Sequence, residues 1–130
     1  MKIHFVPLWI TSTRDSLTII LILKKELQMS HSLEVLYPIT ESTNFNFNYY
    51  FGKHMAIVDE SLGEYMESSV VTKGIAGEPD VPAPYYAITT LVFKDKSALD
   101  GALSKIDKPV ADIANFTNTK PIMLIGDVVG

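Results

Sequence analysis

Cysteine is absent from the chain, which excludes disulfides, thiolate metal sites and a cysteine nucleophile. That absence fits a reducing compartment, and the protein is expected in the cytoplasm. Histidine is scarce: His4, His31 and His54 are scattered with no metal-ligand spacing, so no metal is expected. No glycine-rich loop joins a strand to a helix, and Gly74 and Gly77 do not make a dinucleotide fingerprint. No serine sits in a nucleophile elbow. Long apolar runs are missing too. The longest near the N-terminus, residues 17–23, spans seven positions, whereas a membrane-crossing helix needs about 20. A secretory signal would place small residues after that run, and Lys24-Lys25-Glu26 stands there instead. No membrane partner is expected, and the Asn115-Phe116-Thr117 sequon matters only in a secreted chain.

What is present suits one globular domain: 130 residues, 47% hydrophobic and 20% charged. The net charge of −4 gives no reason to expect nucleic acid as a partner. Its distribution is uneven. Residues 1–28 carry four basic and two acidic side chains, and residues 29–130 carry 7 basic and 13 acidic ones. The acidic part reads as the folded domain and the basic part as an N-terminal extension. Within that extension, the β-branched run at 18–22 suits a strand or a helix equally. Met29, just before the first recognisable strand, is an expected alternative start, which would leave 1–28 outside the core.

Six elements follow. Residues 33–37 alternate apolar and polar and stop at Pro38, as a half-buried strand does. After a polar loop, with Asn44 or Asn46 as cap, Phe47, Tyr50, Phe51, His54, Ile57, Val58 and Leu62 recur at three- and four-residue spacing and build a helical stripe. Gly63 weakens or ends that helix, or Tyr65-Met66 extends it by a turn. Residues 69–76 read as a second strand, 77–84 as a loop with three prolines, and 85–93 as a third strand rich in aromatic and β-branched residues. Asp95 or Ser97 caps a second helix with Leu99, Ala102, Leu103 and Ile106 inward; Pro109 breaks or restarts it, and Val110 and Ile113 continue its inner face. Pro121 opens a last strand, 122–129. The order βαββαβ predicts an α+β fold, a four-stranded antiparallel sheet with both helices on one face. The third strand is apolar both ways, with Ala87, Leu91 and Phe93 on one side and Tyr86, Ile88 and Val92 on the other. One face meets the helices, and the other calls for a second copy of the chain.

Three motifs in this order resemble the EthD family. Phe47-Asn48-Tyr49-Tyr50-Phe51-Gly52-Lys53-His54-Met55 is similar to its paired-tyrosine-to-histidine helix. Lys73-Gly74-Ile75-Ala76-Gly77 with Pro84-Tyr85-Tyr86-Ala87-Ile88 resembles its second and third strands and their loop. Asp112-Ile113-Ala114-Asn115-Phe116-Thr117-Asn118 with Pro121 resembles the approach to its last strand. The resemblance spans residues 33–129 and implies a ferredoxin-like fold, a homodimeric α/β barrel, and a small pocket between helices and sheet. Family members are often labelled reductases; similar folds serve muconolactone isomerisation, polyketide cyclisation or decarboxylation, and cofactor-free quinol oxidation. Fold leaves the reaction open.

His54 shares the inward helix face with Tyr50 and Val58 and suits a general acid or base near neutral pH. A core histidine bonded to a carbonyl or tyrosine is the structural alternative. Tyr50 is positioned to present its hydroxyl to a substrate oxygen. Phe47, Phe51 and Val58 would shape the pocket, and Tyr85 and Tyr86 would divide between pocket and interface. Aromatic packing is the alternative for each of the tyrosines. Asp59 and Glu60 sit too far round the helix to assist His54. The expectation is an enzyme without a bound cofactor, acting on a small, mostly apolar, oxygenated ring compound. A carrier of a hydrophobic metabolite for a neighbouring oxygenase, and a purely structural dimer, are the rivals.

Overall fold

The computed structural model describes residues 16–27 and 29–130. Residues Ser16–Leu27 form a helix, α1, so the apolar run at 17–23 is helical and not a strand. Other expectations about the extension fall on residues 1–15 and 28, outside the described residues.

The remaining chain follows the expected order. Strand β1 is His31–Pro38. A continuous helical stretch comprises α2 (Phe47–Tyr49), a π-helical turn (Tyr50–His54) and α3 (Met55–Leu62). A 3-10 turn, Gly63–Tyr65, delivers the chain directly into β2 (Met66–Lys73). That strand therefore begins three residues before the expected 69 and ends before 76. It stops where a Cβ on Gly74 would lie 2.0 Å from the Tyr85 carbonyl oxygen, an approach only glycine permits. Strand β3 is Tyr85–Phe93. Helix α4 (Lys96–Leu103) starts on Asp95, whose carboxylate accepts from the Ala98 N–H at 2.8 Å. The chain restarts as α5 (Asp107–Asp112), placing Pro109 in the first turn, where no intrahelical N–H bond is required. Strand β4, Ile122–Asp127, ends two residues before the expected 129.

All strand pairs are antiparallel in the order β2-β3-β1-β4, the ferredoxin-like arrangement. Leu33, Leu91 and Phe93 from the sheet meet Val58 and Leu62 of α3 and Leu99 and Ala102 of α4 in the main core. Tyr37, Tyr50, Ala87 and Phe116 form a second, aromatic cluster toward the other end of the sheet.

One expectation about facing is corrected. Strict alternation puts Tyr86 with Ile88 on the outer face. The β1–β3 register instead jumps from Tyr37↔Ala87 to Pro38↔Tyr85, leaving Tyr86 as an extra residue. A bulge of this kind reverses the alternation. Tyr86 consequently stacks on Phe45 at 5.2 Å, and its hydroxyl meets the Thr43 hydroxyl at 2.9 Å on the helix side.

The outer face carries Leu36, Ile88 and Val92, half-buried, beside Val70, Ile122 and Leu124, which are 59%, 51% and 57% exposed. No helix among the described residues is long and apolar enough to cross a membrane.

Candidate active site

The first helical stretch is anchored at its start. Asn46 Oδ1 accepts from the Tyr49 N–H at 3.0 Å, and the Asn46 N–H donates to the Phe116 carbonyl at 2.7 Å. The following turn is widened, with the Met55 N–H donating to the Tyr50 carbonyl five residues back. Such turns store an extra residue and recur at functional sites. Here Tyr50 and His54 fall on one buried face, their rings stacked at 5.5 Å and 17°. Phe116 closes against the imidazole at 4.5 Å.

Opposite this face, α5 ends on Asp112. Its Oδ2 lies 2.8 Å from His54 Nδ1, and the two residues are 7% and 4% exposed. Asp112 Oδ1 accepts from the Tyr49 hydroxyl at 2.6 Å and from Asn115 Nδ2 at 2.9 Å. Burial works to raise the Asp112 pKa, but the hydrogen bonds from Tyr49, Asn115 and His54 together hold it below the usual carboxylate range. Burial lowers the His54 pKa, and the Asp112 carboxylate only partly restores it. The consistent state is an ionised aspartate beside a neutral imidazole. A carboxylate can only accept, so Nδ1 carries the ring proton and Nε2 keeps a free lone pair.

Where Nε2 points follows from hydrogen-bond satisfaction. Among the described residues no sealed side-chain nitrogen or oxygen lacks a partner, and the only hydrogen bond to the His54 ring is the one to Asp112. Nε2 must therefore touch open space. His54 lines a cavity of about 30 Å³ between helices and sheet, together with Tyr37 and Thr89 and an otherwise apolar wall that includes Val35, Val58 and Ile113. Its rim includes Met123 and Val110, both exposed.

Of the residues expected at the site, His54 and Val58 line this cavity. Tyr50 lies behind it, fully buried, with its hydroxyl bonded to that of Thr89. Phe47 and Phe51 stack on each other at 6.0 Å, away from the cavity, with Phe51 exposed and Lys73 Nζ 4.4 Å from the Phe47 ring centre. Tyr86 belongs to the same aromatic patch. Tyr85 borders a separate groove beneath the β2–β3 loop, with Gly74 and Pro84. Asp59 and Glu60 are exposed, Glu60 facing Lys108 at 3.4 Å. Sequence reasoning gave no role to Asp112, Tyr37 or Thr89. Asp112 stood within a quoted motif, but nothing local in the sequence marks which way its carboxylate points. Among the described residues no cluster of three or more metal-ligating side chains is found.

No protein-family model and no curated protein matches the sequence. Solved structures do. A four-stranded antiparallel sheet in the order β2-β3-β1-β4 with helices on one face puts the chain in the ferredoxin-like class. Within it, an EthD-like protein from Ralstonia eutropha is 30% identical over 79% of this chain and 95% of that one, with a TM-score of 0.71. The chain belongs to the EthD family. A Bacillus halodurans EthD-family protein (18% identity, 78% and 100% coverage, TM-score 0.54) and a putative monooxygenase from Shewanella loihica (10%, 78% and 96%, 0.52) share the fold.

Proposed function

We propose that this protein is a homodimeric acid–base enzyme that moves a proton on a small, mostly apolar, oxygenated ring compound, with His54 as the proton-transferring group. The supporting observation is the His54–Asp112 contact at 2.8 Å, buried, with Nε2 left free beside an apolar cavity. The carboxylate fixes the tautomer and stabilises the imidazolium that forms when Nε2 takes a proton. Burial against the apolar wall lowers the pKa of the ring and so keeps it neutral, with Nε2 able to accept a proton, near neutral pH. This chemistry uses protein groups alone and suits isomerisation, cyclisation or decarboxylation by way of an enolate. It is equally the first step of a substrate oxidation.

The cavity as it stands accommodates about one water molecule. A ring compound enters only if the rim opens, and the unbranched, exposed side chain of Met123 is the one most able to swing away. The apolar wall of the cavity also suits a second reading, a binding module for a hydrophobic metabolite that serves an oxygenase.

Exchange of acidic C–H protons for deuterium in small cyclic ketones and lactones, followed by NMR, separates the two. The enzyme reading predicts catalysed exchange that falls about a hundredfold or more in His54→Gln. Full exchange in that variant overturns it; binding without exchange establishes the module.

The dimer rests on the outer sheet face, where Val70, Ile122 and Leu124 are exposed across two strands. Packing that face on its copy buries an apolar layer on each side of the sheet.

A further inference from the structure

Two hydroxyl-bearing side chains, Tyr37 and Thr89, line the cavity with His54, and they differ in one respect. The Thr89 hydroxyl is engaged by that of Tyr50. The Tyr37 hydroxyl has no hydrogen-bond partner among the described residues, although Tyr37 is 2% exposed. Since no sealed polar side-chain atom is left unsatisfied, this oxygen also touches open space, and the cavity that Tyr37 lines with His54 supplies it.

We infer that Tyr37 is the second polar group of the cavity, and that with Nε2 of His54 it grips a hydroxyl or enol oxygen of the ligand. The two groups are complementary in hydrogen bonding. Nε2 in its neutral tautomer accepts, and the phenol of Tyr37 donates. A ligand hydroxyl needs both, giving its proton to one and receiving a hydrogen bond from the other. When Nε2 takes that proton, the oxygen left behind is an anion, and the Tyr37 hydrogen bond to it strengthens. Burial raises the Tyr37 pKa, with Tyr50 adding to the effect, so the phenol keeps its proton while the ligand loses one.

Tyr37 is held for this task. Its ring is packed edge-on by Phe45, Tyr50 and Phe116, at 5.3, 5.7 and 5.7 Å. A phenol with a free hydroxyl on so constrained a ring loses little entropy on binding. The apolar remainder of the cavity wall selects a ligand that is otherwise hydrocarbon, so the class is a small phenol or enol. This inference rests on the proposed role of His54 and goes further by naming the group that stabilises the anion.

The test uses para-nitrophenol, whose phenolate is coloured, titrated into the full chain and into Tyr37→Phe, Tyr50→Phe and His54→Gln, each first checked for its melting temperature. Tyr37→Phe removes an unpartnered hydroxyl and is expected to melt like the wild type. It should bind the phenolate about tenfold more weakly, whereas Tyr50→Phe should bind within about twofold of wild type. Unchanged binding in Tyr37→Phe, with binding lost in His54→Gln, overturns this inference and leaves the role of His54 standing. Full binding in His54→Gln, or none in the wild type, overturns both. A loss in Tyr50→Phe equal to that in Tyr37→Phe returns the role to Tyr50.

Discussion

At the scale of single residues, Asp112 organises the site. One carboxylate receives hydrogen bonds from an imidazole, a phenol and an amide, and each leaves a different group misplaced if it is lost. Asp112→Asn keeps the shape but offers one acceptor oxygen and a donor, so His54 is expected to lose its fixed tautomer. Proton-exchange activity should fall about a hundredfold or more, measured as the rate of deuterium uptake by a responsive ketone.

The same residues set a pH dependence. The folded His54 pKa lies below its unfolded value near 6.5, so acid protonates the unfolded chain first. The stability this neutral ring provides is fully present above about 6.5 and is lost as pH falls toward the folded value. Asp112, also lowered, contributes stability present above about 3.8 that is lost as pH falls through its own folded value. Urea midpoints measured between pH 7 and pH 5 should therefore decline in the wild type and decline less in His54→Gln.

His54 was legible in the sequence because a four-residue spacing from Tyr50 and to Val58 puts it on the inner helix face. Its partner was not. Asp112 is 58 residues away, and which carboxylate reaches the imidazole depends on how α5 packs, a tertiary fact without a local signal. Tyr50 illustrates a finer limit. Its ring position could be inferred from periodicity, but the partner of its hydroxyl depends on Thr89 across the sheet.

At the scale of elements, the βαββαβ order and the extent of β3 were readable because period two and period 3.6 alternate cleanly along the chain. The capping choices between Asn44 and Asn46, and between Asp95 and Ser97, could be settled only by geometry. The π-helical turn and the Tyr86 bulge were not readable, since each inserts a residue without changing composition. The turn matters to the site, since it brings Tyr50 over His54, whereas the bulge turns Tyr86 into the aromatic patch away from the cavity.

Helix α4 presents a further constraint of this scale. A Cβ on Gly101 would lie 2.4 Å from the Tyr65 ring, so the glycine lets α4 approach the turn that launches β2. Gly101→Ala gains helix propensity of about 1 kcal/mol but forces a ring or a helix to move at about 1–3 kcal/mol. A net loss of stability is expected, read as a lower urea midpoint with an unchanged slope.

At the scale of the whole molecule, the sheet has two apolar sides, and the proposed dimer rests on the second. The inner side is covered by α3 and α4, and the outer side is left with exposed Val70, Ile122 and Leu124. The apolar character of this outer face was anticipated by patterning, through Ile88 and Val92 on the second face of β3. Leu124→Lys would bury a charge in the proposed interface. It is expected to convert a dimer into a folded monomer, observed by sedimentation velocity together with an unchanged far-ultraviolet circular dichroism spectrum. A wild type that sediments as a monomer would overturn the proposed dimer.

The proposed chemistry depends on the state of one ring: a neutral His54 that carries its proton on Nδ1, against Asp112, and offers Nε2 to the cavity. Nitrogen-15 NMR of the imidazole across a pH titration reads that state directly. A neutral ring is expected at pH 7, with Nδ1 protonated and Nε2 bare, that stays neutral to below its ordinary value near 6.5. A ring protonated on Nε2, or one already positively charged at pH 7, would contradict it.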